Sequence, residues 1–386
     1  MVWRTTAALA ALLLAATHGQ MDWFSGVRDE YGAGQSGMAM AAVHDRGKAA
    51  QAIAEPLPDS VDGLLERIFS RIEAQQLDVA LELTDQLVER YPKYRLGYLI
   101  KGDLLSAQMQ SIQGFGASVA SPERIGELQA EALVRLKAYR ERPPAGHVPR
   151  NLLKLAPEQT HAVIVDASRS RLYLFRNDNG QPQLVSDYYI TLGELGIDKF
   201  REGDKRTPLG VYHVISSIPK NQLIDLYGSA AFTLNYPNSW DRLRGRSGSG
   251  IWLHGTQSDT YARPPLSSKG CVVLTNPDID AVAGHLQDGI TPVIISDRIE
   301  WISSADWQRE RKQLSSLLEA WRVDGSQDPS LPDADKLSIF RNPGQEEVLV
   351  LNFEQPARNE AAPGQKRVQY WMREAGRWKM VHEGQA

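Results

Sequence analysis

Cysteine is nearly absent from this chain: among 386 residues there is one, Cys271. A lone thiol cannot cross-link its own chain, so no internal disulfide framework holds the fold. An excess of one charge is absent too. The 43 Lys and Arg stand against 47 Asp and Glu, a formal net charge of −4, which excludes the general electrostatic footprint of a nucleic-acid binder. The eight histidines (His18, His44, His147, His161, His213, His254, His285 and His382) show no metal-ligand spacing. Neither a Walker-type loop nor a dinucleotide fingerprint occurs, so no metal and no cofactor is expected. Beyond the amino terminus no apolar run reaches about 18 residues, and no integral membrane span is expected.

What is present begins at the amino terminus. Arg4 precedes an apolar core from Thr6 to Ala16, followed by Thr17, His18, Gly19 and Gln20. Residues 1–20 therefore read as a secretory signal peptide whose apolar core is too short to span a bilayer, and the mature chain is expected in the periplasm. There a lone cysteine is a buried small hydrophobe, an intermolecular bridge or a reactive thiol. Its surroundings favour the last. Cys271 follows Ser267-Ser268-Lys269-Gly270 and opens Val272-Val273-Leu274, and seventeen positions upstream His254 ends the run Ile251-Trp252-Leu253 before Gly255. If the two apolar runs are neighbouring strands, His254 can serve as the base a thiol needs at neutral pH.

The remaining chain divides by pattern. Residues 21–58 are rich in Gly, Ala, Ser and Met and read as a flexible lead. Residues 59–149 form a small α-helical domain. Leu64, Leu65, Ile68 and Ile72 recur at helical spacing, and Tyr91-Pro92 separates two helices as in a tetratricopeptide-like hairpin. One such hairpin is too small for a solenoid, so it is expected to meet a homodimer mate or an envelope protein. Residues 150–300 carry many short strands with little helix, which implies a mostly-β sandwich or barrel-like domain. Strands are expected at 161–166, 171–176, 185–191, 251–254, 271–274 and 291–296, with a helix from Asn276 or Pro277 to about Leu286. Residues 301–386 hold a helix over 304–322 and four strands, a small α+β domain. The fold class is thus multidomain.

Four blocks of the central stretch carry a family resemblance. They are Gly203-Asp204 through Thr207-Pro208, Gly210 and Tyr212; Tyr227-Gly228 with Leu234-Asn235-Tyr236-Pro237; Ile251 to Gly255; and Ser268-Lys269-Gly270-Cys271 with Leu274-Thr275-Asn276. In order and spacing, over roughly residues 159–297, they resemble the YkuD-type L,D-transpeptidase catalytic domain. The carboxy-terminal blocks 337–340, Tyr370-Trp371 and 376–379 resemble nuclear transport factor two. The whole layout is similar to the cell-shape L,D-carboxypeptidases. The resemblance implies Cys271 as nucleophile, His254 as base and the Gly255 carbonyl as orienter of the ring. It implies an oxyanion hole at Gly270 and Lys269, and substrate contacts from Tyr227, Ser268 and Lys269. The implied substrates are peptidoglycan stem peptides, cut at an L-to-D bond. Two positions depart from the commonest motif: Lys269 stands where histidine is usual and Val273 where arginine is usual. The acceptor stays open between an amine, giving transpeptidation, and water, giving an L,D-carboxypeptidase. A non-catalytic envelope scaffold is the third reading.

Overall fold

The computed structural model describes residues 60–109, 122–324, 334–345, 347–355 and 364–385. The signal-like residues 1–20 and the lead 21–58 lie outside the described residues.

Four helices come first: α1 (Val61–Glu73), α2 (Leu77–Arg90), α3 (Arg95–Met109) and α4 (Pro122–Arg140). The Ser60 hydroxyl accepts the Gly63 amide at 3.1 Å and starts α1, meeting one of the unpaired donors of a helix amino terminus. Leu64, Leu65, Ile68 and Ile72 then fall on one face and are buried with Leu83, Leu87, Tyr94, Leu96 and Leu136.

The central domain is one eight-stranded mixed sheet. Its strands are β3 (His161–Asp166), β4 (Arg171–Asp178), β5 (Gln181–Tyr189), β7 (Gly210–Ser217), β8 (Ala231–Leu234), β9 (Trp252–His254), β11 (Val272–Val273) and β12 (Pro292–Ser296). They run in the spatial order β11-β9-β8-β7-β12-β3-β4-β5. Short accessory strands β6 (Leu192–Gly193) and β10 (Leu266–Ser268) pair with each other in parallel. Strand β5 starts earlier than the expected 185 because Asn179 and Gly180, both at positive φ, make a two-residue hairpin. Helix α5 (Ser239–Leu243) follows β8. Helix α6 (Asn276–Ala283) is capped by the Thr275 hydroxyl and ends before the expected Leu286.

Strand alternation buries the middle of this sheet on both faces. Val163, Val165, Leu172 and Leu174 join Tyr212, Leu253, Val272 and Ile279 in the domain's own core. Ala162, Ile164, Tyr173 and Phe175 point the other way and meet Phe340, Val348, Val350 and Tyr370. Those four belong to the carboxy-terminal sheet, built from β14 (Ser338–Arg341), β15 (Val348–Gln355), β16 (Gln365–Glu374) and β17 (Arg377–Gln385). Helix α7 (Ser304–Asp324) covers that sheet's far face through Leu314, Leu317 and Trp321 against Leu349, Leu351 and Trp371. The back of the molecule is therefore three layers: helix, antiparallel sheet, catalytic sheet.

One strand crosses the boundary drawn from sequence at residue 150. Strand β2 (Leu152–Lys154) pairs with β14 as the edge of the carboxy-terminal sheet, in the order β17-β16-β15-β14-β2. Just before it, β1 (His147–Pro149) pairs with β13 (Trp301–Ser303). The chain entering the catalytic domain is thus tied to the chain leaving it.

Candidate active site

Strands β9 and β11 lie side by side in parallel, with Leu253 opposite Val272 and His254 opposite Val273. Leu253 and Val272 point into the core. Side chains alternate along a strand, so Trp252 and His254 take the outer face. Continuing the register by one residue puts Cys271 level with Trp252, on the same face as His254.

Each reactive group is held by backbone. The His254 ring is 4 % exposed, and its Nδ1 lies 2.7 Å from the Gly255 carbonyl oxygen. That contact assigns the proton to Nδ1 and leaves Nε2 as the free acceptor. Burial, aided by the nearby Arg263 guanidinium and opposed by the Gly255 carbonyl, pushes the imidazole down to about 4, so it is neutral at pH 7. The Cys271 sulfur is partly exposed and donates to the Gly250 carbonyl oxygen at 3.3 Å. Burial pushes this thiol up, against the pull of the Trp252 amide, Arg263 and Lys199. The resting pair is a neutral thiol beside a neutral imidazole.

Glycines shape both loops. Gly270 sits at φ +125°, and a Cβ there would lie 2.7 Å from the Arg206 carbonyl oxygen. Its own carbonyl accepts from Thr207 Oγ1 at 3.0 Å, and that hydroxyl also receives the Gly193 amide at 2.9 Å. A Cβ on Gly255 would come 2.2 Å from Asn276 Oδ1. That oxygen accepts the Thr256 amide at 3.0 Å and the Ser229 amide at 3.1 Å, fixing the peptide beyond Gly255. Tyr227 stands edge-on to His254, with ring centroids 5.1 Å apart, and packs against Trp252 at 4.6 Å.

Three sequence expectations need correction. Ser268 was expected to bind substrate. It is buried, and its hydroxyl donates to the Cys271 carbonyl at 2.7 Å while accepting the Gly270 amide at 3.0 Å, so it staples the turn. The second of these bonds occupies the Gly270 amide expected in the oxyanion hole. Lys269 is exposed, and the cations that act on the thiol are Arg263 and Lys199. Lys199 is 3 % exposed and pairs with Asp204 at 2.8 Å. Although burial opposes its charge, Lys199 and the amides of Arg201, Phe200 and Arg206 hold the Asp204 carboxyl down to about 2. Sequence reasoning missed Arg263, and the available signal was that it is the one arginine between His254 and Cys271.

The loop carrying Arg263 is clamped by the helical domain. Tyr261 and Ala262 pack into the helical core, and Tyr261 meets Tyr91 and Tyr94 with ring centroids 5.0 and 5.5 Å apart. Lys93 Nζ donates to the Ser258 carbonyl at 2.6 Å. From below, Tyr189 donates to the Arg263 carbonyl at 2.8 Å, and Arg135 lies 3.8 Å over the Tyr189 ring. The helical domain thus meets the central domain of its own chain at this loop.

The strand pair presents a cysteine and a carbonyl-tethered histidine on one face. Residues 160–295 match the YkuD family model, the L,D-transpeptidase catalytic domain. YafK of Escherichia coli strain K12, named as a candidate L,D-transpeptidase, is 31% identical over 147 residues, covering 36% of this chain and 54% of YafK. The chain spans about half the length of the curated relatives it matches. Among solved structures, Bd1075 of Bdellovibrio bacteriovorus matches with a TM-score of 0.50 at 24% identity, covering 62% of this chain and 98% of Bd1075. Its fold likeness therefore extends past the catalytic domain. The helical cell shape determining protein Pgp2 of Campylobacter jejuni matches with a TM-score of 0.48 at 21% identity, over 61% and 95% of the two chains. Among the described residues, no helix is long and apolar enough to cross a membrane.

Proposed function

We propose that this protein is a periplasmic cysteine acyltransferase that acts on the L-to-D bond of peptidoglycan tetrapeptide stems. The single observation that carries this reading is the juxtaposition of Cys271 and the Gly255-tethered His254 on one face of β9 and β11. The thiol is pushed up and the imidazole down, so neither is charged at rest. His254 Nε2 takes the thiol proton as sulfur attacks the carbonyl of the third stem residue, and the Cys271 amide faces the developing oxyanion. The proton passes to the leaving amine, and a thioester on Cys271 remains. An acceptor then releases it. Water as acceptor, the L,D-carboxypeptidase reading, is favoured at position 273: Val273 is buried opposite His254 and offers no charge to an incoming stem.

The test is incubation of the full chain with purified tetrapeptide muropeptides, with and without an amine acceptor, followed by mass analysis. Loss of the terminal residue is expected, as tripeptide when water is the acceptor and as a higher-mass adduct when the amine is. Cys271→Ala should lower turnover at least 10³-fold with the fold intact. Unchanged tetrapeptide with wild-type protein, or a Cys271→Ala variant above about one per cent of wild-type turnover, overturns the reading.

A further inference from the structure

Arg263 is half-buried, and Thr191 ties its backbone to the strand of Cys271: the Thr191 hydroxyl donates to the Arg263 carbonyl at 3.1 Å and the Thr191 amide to the Val273 carbonyl at 2.8 Å. Its charge acts on both Cys271 and His254. The charge it feels in return is that of Cys271, and no carboxylate neutralises it among the described residues. Several other buried or half-buried arginines of this chain are paired with carboxylates: Arg171 with Asp62 and Asp187, Arg135 with Glu131 and Asp62, Arg150 with Glu300 and Glu310. Burial costs a cation unless something compensates it, and Arg263 is held in place with that compensation missing. Its position does not depend on its guanidinium. The Arg263 carbonyl takes the Tyr189 and Thr191 hydroxyls at 2.8 and 3.1 Å, and the preceding Tyr261 and Ala262 are locked in the helical core. The fold therefore fixes the Arg263 backbone next to the strand of Cys271 and leaves its guanidinium without a carboxylate among the described residues.

We propose that Arg263 binds the free carboxylate of the residue that leaves when the L-to-D bond is cut, and so restricts the enzyme to stems ending at that residue. This deepens the acyl-transfer reading and rests on it. The geometry selects that carboxylate. His254 hands its proton to the leaving nitrogen, and the terminal carboxylate carbon is two bonds from that nitrogen. A guanidinium that acts on both sulfur and imidazole stands at the same place. Arginine suits the task because its planar fork meets a carboxylate with two parallel hydrogen bonds.

The test has two arms. In the first, wild type, Arg263→Gln and Arg263→Lys are assayed on a tetrapeptide stem and on the same stem with a carboxamide end. Wild type should prefer the free acid by about 10- to 100-fold in kcat/KM, the value of a charge-assisted hydrogen bond. Arg263→Gln should lose that preference, read as the acid-to-carboxamide ratio within the variant so that any change in overall turnover cancels, and Arg263→Lys should restore part of it. The second arm needs no turnover. Alkylation of Cys271 by iodoacetate is compared with alkylation by iodoacetamide at one pH. Both probes consume the same thiolate, so their rate ratio reports attraction of a carboxylate alone. The ratio should fall about tenfold or more in Arg263→Gln. If it is unchanged, or if the variant keeps the wild-type preference for the acid, the carboxylate site is elsewhere and the proposal is wrong. If the ratio responds but no peptide is cut, the carboxylate site stands and the acyl-transfer reading fails.

Discussion

The helical domain reaches the catalytic sheet through charges and rings, whereas the carboxy-terminal sheet reaches it through aliphatic and aromatic faces. At the front, Asp62 pairs with Arg171 at 2.6 Å and Arg135 at 2.7 Å, and the Tyr91, Tyr94 and Tyr261 rings meet. Burial works against the Asp62 charge, but the two guanidiniums win and hold its carboxyl below the usual range. At the back, Ile164, Phe175 and Ile294 pack against Phe340, Val350 and Tyr370. The two contacts serve different ends. Apolar packing is non-directional and supplies stability in proportion to the area buried. Ion pairs and ring contacts add less net stability but fix geometry, and the front is where a loop beside the nucleophile needs a fixed position.

The comparison is broken most forcefully from the back. Phe340 is fully buried, so Phe340→Ala should cost about 3–5 kcal/mol of unfolding free energy. Chemical denaturation would measure it, and turnover per folded molecule should be unchanged. A fall in turnover with little loss of stability would mean that the back also sets the geometry of the site.

Acid separates the two regions next. His213 at the back and His254 at the front are both depressed to about 4, chiefly by burial, with help from Lys366 in the first case. The unfolded chain takes up these protons near pH 6.5, and the folded chain only near 4. Their contribution is therefore complete above about pH 6.5 and is lost as pH falls toward 4, on the order of 3 kcal/mol for each imidazole. His213→Gln should remove about half of this acid loss in a denaturation series and leave the pH profile of turnover in place. An equal acid loss in wild type and variant would show that His213 is not the group responsible.

The smallest expected effect sharpens the front itself. Lys269 is exposed, so Lys269→Ala should leave stability within about 0.5 kcal/mol. It should also leave the pH dependence of iodoacetamide alkylation at Cys271 unmoved, since the cations on that thiol are Arg263 and Lys199. A raised alkylation midpoint would return Lys269 to the site.

The contrast also explains what the sequence made legible. Short apolar runs, one ending at His254 and one opening at Cys271, announced two strands, because a strand is a local pattern, and their pairing follows from what a thiol and a base require. The three-part layout was readable in the same way, from helical spacing at 64–72 and alternation at 368–372. Arg263 was not readable. It lies in a loop without periodicity, and its place is set by Tyr261 reaching a helical core far back in the chain; the neighbouring Lys93 to Ser258 contact spans 165 residues. Lys269 misled for the converse reason: proximity along the chain is not proximity of side chains at a glycine turn. Ser268 was expected to bind substrate, and only its hydrogen bonds reveal that it holds the turn together.

Strand β2 carries a consequence for how the chain is made. It leaves the ribosome before the catalytic domain, yet its hydrogen-bonding partner β14 comes after it; the neighbouring Asn151 side chain donates to the Arg341 carbonyl 190 residues away. Lys154 likewise caps three carbonyls at Ala334, Asp335 and Leu337. Contacts of such separation form late, because the loop between them must be closed first. During synthesis the β2 segment must wait, with Leu152 and Leu153 uncovered, until the last strands emerge. A chain interrupted at the end of the catalytic domain would keep Cys271 and His254 and still display an unmated strand to its neighbours, the situation in which edge-to-edge aggregation begins.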